Sequence, residues 1–293
     1  MKKISGNLRV TLLSVIILTV ICVTLLTISL FVSYNEEISY FNNSLIYSIS
    51  KALLAITVIW IIVRAFLLPK NELSGDSPTT LPISIVSSLP AIALCTFSVL
   101  VFSGSLKIAS KSKLLFAVCA TVAAISSIYF IFNCIFADSK NSTKVFLGYT
   151  VPFTDILLIA ITYFDMTVSM NAHAKIFLNF ALIAFALWSL IELRTMTGKP
   201  LPRLYFALGL IATALTASAS VPWIIAMLAG KLGKPIYPSY IIFNIIIFAL
   251  FVYVLTRMIV FVSARALIER LSEQTYSDDE PKSQKEYNKS EEV

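Results

Sequence analysis

Residues 10–33 read VTLLSVIILTVICVTLLTISLFVS and contain no charged side chain. A helix of this length crosses the roughly 30 Å hydrocarbon core of a bilayer. The run is too long for the apolar part of a signal peptide, which covers about 7 to 15 residues, and no small-residue cleavage site with a polar mature start follows it. The stretch therefore predicts a retained first membrane helix.

Further apolar runs of similar length follow, and turn residues such as Gly198-Lys199-Pro200 separate them. Of the 293 residues 58% are hydrophobic and 13% are charged, whereas soluble domains are about 45–50% apolar. The sequence predicts an all-α integral membrane helical bundle of about eight transmembrane helices. The predicted helices are 10–33, 46–68, 82–103, 113–136, 146–168, 175–193, 204–229 and 238–262.

Lys and Arg residues indicate the orientation, because positively charged loops stay in the cytoplasm. With the N-terminus inside, the cytoplasmic segments hold thirteen Lys and Arg residues and the opposite side holds six. Three of those six, Lys107, Lys111 and Lys113, follow the third helix and argue against the count of eight. The totals predict that both termini are cytoplasmic and that the protein lies in a cell membrane, the plasma membrane of a bacterium.

The chain divides into a transmembrane helical domain, residues 1–271, and a charged tail, residues 272–293. The tail has no apolar periodicity, which is typical of a disordered cytoplasmic segment. The net charge of +7 comes from positive residues near the membrane faces, where they attract anionic lipids. We expect membrane lipids as partners, with other membrane proteins as further candidates, and no nucleic acid.

Two opposite charges follow a tryptophan by four residues: Arg64 follows Trp60, and Glu192 follows Trp188. Both charges fall at the predicted cytoplasmic ends of their helices, at similar depth. Charges at helix ends commonly pair at the interface. We therefore expect an ion pair between Arg64 and Glu192, with a structural role.

The two tryptophans lie 128 residues apart, and Pro90 and Pro222 in the helices that follow lie 132 residues apart. The similar offsets favour a duplication of two four-helix halves, an arrangement that occurs in transporters. Convergence is the alternative, because Trp belongs to the interfacial belt and Pro is common in membrane helices.

Asp155 is the candidate intramembrane polar site. A helix that begins at Val145 places Asp155 near mid-membrane, where an ionisable residue is the default place to look for function. A helix that begins near Thr150 makes Thr150 the N-cap and puts Asp155 in the second turn, where it only favours the helix start. The sequence leaves both interpretations open.

Small residues concentrate in the fourth and seventh predicted helices, for example over residues 117–127 and 209–220. Small side chains permit close helix contact in membranes. We expect these two helices at the centre of the bundle.

The residues of familiar metal and cofactor sites are scarce in this chain. His173 is the single histidine, which excludes zinc motifs that need two histidines and bis-histidine haem ligation. The four cysteines lie inside apolar segments, and no Gly-rich phosphate loop occurs among the eight glycines. We expect no metal, no cofactor and no enzymatic activity.

The stretches YFDMTVSMN (163–171), ELR (192–194) and KPLPR (199–203) resemble bacterial multi-pass membrane proteins whose activity is uncharacterised. The resemblance implies no activity. The sequence favours a non-catalytic membrane component, that is, a sensor, scaffold or accessory subunit, which needs only a bundle with exposed cytoplasmic ends. The alternative is a small-solute permease with Asp155 in the translocation path and proline kinks as its moving parts.

Overall fold

The computed structural model describes residues 4–35, 40–41, 45–67, 81–106, 113–135, 142–164, 172–231 and 238–278. The helices in these ranges are α1 (Ile4–Ser33), α2 (Leu45–Leu67), α3 (Leu81–Phe102), α4 (Lys113–Ile135), α5 (Ser142–Gly148), α6 (Thr150–Phe164), α7 (His173–Met196), α8 (Pro202–Leu228) and α9 (Pro238–Asp278). A two-residue antiparallel pair, β1 (Tyr34–Asn35) with β2 (Tyr40–Phe41), lies between α1 and α2. The described helices supply eight spans long and apolar enough to cross a membrane, with α5 and α6 together forming the fifth. The predicted all-α bundle of eight spans is therefore confirmed.

Three described helices, α3, α7 and α8, are followed within two residues by a glycine in the left-handed conformation, and the last two show how it closes a helix. Gly198 (φ 79°) follows α7, and Gly230 (φ 65°) follows α8. The next amide in each case donates back into the last turn, Lys199 to the Arg194 carbonyl at 3.2 Å and Lys231 to the Ala226 carbonyl at 3.0 Å. These bonds satisfy carbonyls that the helix leaves open, and glycine adopts the required backbone without a steric penalty.

The fifth span is broken at Tyr149, between α5 and α6. Pro152 explains the break, because it has no N–H for the Gly148 carbonyl and its ring crowds that carbonyl. Gly148 makes the junction a close-packing point, since a Cβ at this position would collide with Leu193 and lie 3.1 Å from the Tyr129 ring. The absence of a side chain at Gly148 thus lets the α5–α6 junction pack closely against α4 and α7.

Helix α8 lies at the centre of the bundle. It packs on α1, α2, α7 and α9, while α9 also packs on α3, and α4 joins α3 to α6. Buried residues make up 67% of the α8 span, against 28% for α2. The central position expected for the seventh span is confirmed, whereas α4, at 44%, is less enclosed than α7 and α9, at 56% each.

The outer surface of the bundle is apolar. Val32, Phe66 and Leu114 are exposed by 72%, 76% and 80%, and similar side chains cover the other outward helix faces. Such a surface suits contact with lipid chains, because soluble proteins rarely expose large continuous apolar patches.

Helix α9 includes residues 272–278, which the composition assigned to the tail. Residues such as Glu273 and Gln274 are good helix formers, so charge and polarity alone do not mark a helix end. Residues 279–293 lie outside the described ranges, as do Lys107 and Lys111. The orientation of the chain across the membrane remains a prediction.

The proposed duplication also remains a prediction. Its paired residues occupy different environments, because Trp60 is 41% exposed and Trp188 is fully buried. The helices that carry the second pair differ in their neighbours too. Helix α8 packs along α7 and α9, while α3 packs mainly on α4 and α9.

Candidate functional site

Asp155 lies inside the bundle, in the second turn of α6. It is 2% exposed, and its Oδ2 atom has no hydrogen-bond partner. Because α5 begins at Ser142, Asp155 is about 20 Å along the span from that end and about 14 Å from Phe164. The two interpretations of the sequence therefore merge: Asp155 is near the start of α6 and near the middle of the whole span.

Thr150 is not the N-cap of a separate helix, because α5 ends at Gly148, only two residues before it. Its hydroxyl donates to the Leu147 carbonyl at 2.6 Å and accepts from Ser126 Oγ at 2.9 Å. Ser126 Oγ also lies 2.8 Å from Thr154 Oγ1. The three side chains form a hydroxyl cluster (Ser126, Thr150 and Thr154) that ties α4 to α6.

The other side of α6 is tied to α7, where Thr162 donates to the Asn179 side-chain oxygen at 2.6 Å. Asp155 lies between these two tethers along the helix, and Cys119 on α4 is close enough to interact with it electrostatically. Hydroxyl and amide groups near Asp155 are thus engaged with one another. The carboxyl oxygen Oδ2 is left without a hydrogen bond in an apolar interior.

A second polar group, the paired network, consists of Glu192, Tyr253 and Arg257 and joins α7 to α9. Arg257 Nη2 lies 2.8 Å from Glu192 Oε1. The Tyr253 hydroxyl accepts from Arg257 Nε at 3.2 Å and donates to Glu192 Oε1 at 3.4 Å. All three side chains are buried.

Aromatic rings enclose the paired network. Tyr253 packs edge-on against Phe130 at 5.2 Å and against Trp188 at 5.9 Å between ring centroids. Trp188 is fully buried, and its Nε1 atom has no hydrogen-bond partner. Lys144 of α5 also interacts electrostatically with Glu192. The network is therefore an enclosed contact between α7 and α9.

The expected ion pair between Arg64 and Glu192 is wrong, because Glu192 pairs with Arg257. Arg64 instead donates from Nε to Thr11 Oγ1 of α1 at 3.2 Å and stacks over Trp60 at 5.5 Å. The reason is helix order in the bundle. Helix α2 packs on α1 and α8, whereas α7 packs on α6, α8 and α9.

Arg257 is the residue that sequence reasoning missed. It lies inside the last apolar run, yet it was counted with the positive charges that set the orientation. The available signal was its position, since it stands five residues before Val262, where the predicted last helix ends. An arginine that far inside an apolar run calls for a buried partner.

A recess lies between α1, α2, α7 and α8, at the end of the bundle opposite the paired network. Its walls include Phe41, Tyr47 and Trp223, and Tyr34 packs edge-on against Trp223 at 5.1 Å. Ser218 lines it with a buried hydroxyl that has no hydrogen-bond partner. The recess is narrow, with room on the scale of a water molecule rather than a solute.

Metal binding finds no support in the described part of the chain, where no three His, Cys, Asp or Glu side chains come together. The side chain of His173 lies outside the described residues. Cys22 and Cys119 are buried, whereas Cys95 is exposed.

Comparisons with known proteins add no family to this description. No protein-family model matches the chain, and neither the curated proteins nor the solved structures give a significant match.

Proposed function

We propose that this protein is a non-catalytic component of a bacterial cell membrane, a sensor, scaffold or accessory subunit, whose bundle holds α9 in a fixed position. The observation that carries the proposal is the length of α9. The apolar run of the last span, as predicted from the sequence, ends near Val262, and the helix continues to Asp278, about 24 Å further. A bundle that needed only to fill the membrane has no use for this continuation.

The paired network supports the same function. It fastens α9 to α7 through Arg257 and Glu192 at 2.8 Å, inside the bundle and before the helix leaves the span. A buried and hydrogen-bonded ion pair resists sliding of one helix along the other. Helix α9 is therefore suited to transmit a movement of the bundle, or to hold a partner at a set place.

The partners that fit this arrangement are lipids and another protein. Lipids would cover the apolar outer faces, and a protein would bind the continuation of α9, residues 266–278. With the predicted orientation, that continuation lies on the cytoplasmic side.

Photo-crosslinking in cells tests the proposal. A photoreactive amino acid is placed at successive positions of 266–278, with Ile56 on the lipid face of α2 as the control position. We expect discrete protein adducts from the continuation and lipid adducts alone from Ile56. A chain ending at residue 265 should insert normally and lose the protein adducts.

The proposal fails if every position of 266–278 behaves like Ile56. It also fails if the purified protein moves a solute across a vesicle membrane, since a non-catalytic component should give no flux above empty vesicles.

A small-solute permease is the second candidate function, and Asp155 favours it. An acid near mid-membrane that faces the bundle interior is the usual mark of a substrate or ion pathway. Pro152 adds a break in the same span, and discontinuous helices form the sites of many transporters.

Uptake by proteoliposomes tests the permease. Amino acids, sugars and monovalent cations are offered to vesicles that contain the wild type, Asp155→Asn or Asp155→Glu. A permease should transport one of these classes, lose transport with Asn and keep part of it with Glu. Equal uptake by the wild type and Asp155→Asn would remove Asp155 from the pathway.

A further inference from the structure

The carboxyl group of Asp155 is buried and receives little support from the side chains around it. An ionised carboxylate is stable in an apolar interior only beside a cation or several hydrogen-bond donors. Among the described side chains no donor reaches Oδ2. Glu192 shows the contrast, because Arg257 and Tyr253 both contact its Oε1 atom.

The helices packed on α6 present few titratable groups to Asp155. Helix α4 presents Cys119, and α7 has no titratable side chain between Ile176 and Ile191. The cation of α5, Lys144, interacts with Glu192. The charge of an ionised Asp155 would therefore have no opposite charge facing it.

A metal cation is a poor match for this position. Such an ion needs a shell of several oxygen ligands. The nearest oxygens on the same helices belong to the hydroxyl cluster, whose members bond to one another at 2.8 and 2.9 Å and make no hydrogen bond to Asp155. A proton, by contrast, needs only the carboxyl group itself.

We propose that Asp155 is a proton-binding site, at which the closed bundle holds the carboxyl group as the neutral acid. Release requires water to reach the carboxyl group. The O–H bond of the carboxyl group then breaks, its electron pair stays on the carboxylate, and the proton passes to the water molecule. A proton-binding site is compatible with a sensor and with a proton-coupled permease. A negative result for the site would therefore leave both proposed functions standing.

Infrared spectroscopy of the protein in lipid nanodiscs at about pH 7 tests the inference directly. Carboxyl groups in water are ionised at this pH, so a neutral-acid C=O band reports only on buried acids. We expect this band in the wild type and in Glu192→Gln, and its loss in Asp155→Asn. A missing band in the wild type, or a band that survives Asp155→Asn, would overturn the inference.

Thermal unfolding supplies a second measurement on the same samples. Ionising a buried, unpaired carboxyl group opposes folding, so Tm of the wild type should fall relative to Asp155→Asn between about pH 5 and about pH 9, by about 2 °C or more. Equal pH profiles for the two proteins would contradict the inference.

Sodium chloride and choline chloride at equal ionic strength separate a proton from a metal ion. A proton site predicts the same Tm in both salts. A rise in Tm that requires sodium and disappears in Asp155→Asn would overturn the proton in favour of a metal cation.

Discussion

Glu192 and Asp155 are two buried acids on neighbouring helices, and they differ in their partners rather than in their depth of burial. Glu192 is 3% exposed and is paired with Arg257, while Asp155 is 2% exposed and its Oδ2 atom has no hydrogen bond. An acid with a complete set of partners fixes helices against each other. An acid without them is available for a proton or a ligand. Burial alone therefore does not distinguish a structural acid from a functional one.

The largest effect should come from breaking the paired network. Arg257→Met leaves Glu192 buried without its cation, and we expect the free energy of unfolding to fall by about 3–5 kcal/mol. Equilibrium unfolding in mixed micelles measures the loss. The double variant Arg257→Met, Glu192→Leu should be closer to the wild type, because neither member of the ion pair is left buried without the other.

A loss below about 1 kcal/mol for the single variant would show that the pair behaves like an exposed one. The comparison between the two acids would then lose its basis.

Gly148 lies where the span of Asp155 meets the helix of Glu192, so it tests the contact between the two regions. Gly148→Ala places a methyl group against Leu193 and near the Tyr129 ring, and overpacking of this kind costs about 1–3 kcal/mol. Gly104→Ala is the control, because its Cβ would meet nothing within 4 Å and only its positive φ opposes the change. Equal stability of Gly148→Ala and the wild type would contradict the close packing.

The hydroxyl cluster should contribute less. Ser126→Ala removes two interhelical hydrogen bonds, to Thr150 and to Thr154, and such bonds in membrane proteins are worth about 0.6 to 1.7 kcal/mol. Ser88→Ala is the matched control, since the Ser88 hydroxyl is exposed and bonds only to the Ile85 carbonyl of its own helix. A loss no larger than that of the control would mean that the cluster does not hold α4 to α6.

Arg64→Gln should have the smallest effect. Arg64 contacts Thr11 and Trp60 near the surface, so we expect a loss below about 1 kcal/mol. When Arg64→Gln is combined with Arg257→Met, the two losses in the free energy of unfolding should add within about 0.5 kcal/mol, because the two residues share no partner. Coupling between them in a double-mutant cycle would restore the pair of Arg64 with Glu192 that the structure rejects.

The eight spans could be predicted from the sequence because each depends on its own run of residues. A run such as 10–33 must be helical in a bilayer whatever surrounds it, since no water is present to satisfy its backbone. The break at Tyr149 was not predicted, because the sequence analysis treated Val145 and Thr150 as alternative starts of one helix, whereas Pro152 divides the span into two.

The partners of the buried charges could not be predicted, because they depend on which helices become neighbours. Glu192 has its ion pair with Arg257, 65 residues further along the chain, and nothing local to either residue encodes that contact. The distance of Arg257 from the end of its span gave a usable hint. The lack of a partner for Asp155 is still harder to predict from the sequence, since the prediction requires knowledge of every surrounding side chain.

If α9 serves the proposed function, its continuation would act as a lever that extends from the contact of Arg257 with Glu192. From Arg257 to Asp278 the helix measures about 32 Å, so a tilt of about 5° at that contact would swing its far end by about 3 Å. A tilt of α9 too small to open a passage between packed side chains would still move its C-terminal end by a few ångströms. Such a movement would change which groups that end of the helix can contact. In the proposed function, the stiffness of one uninterrupted helix would carry a change inside the bundle to the far end of α9.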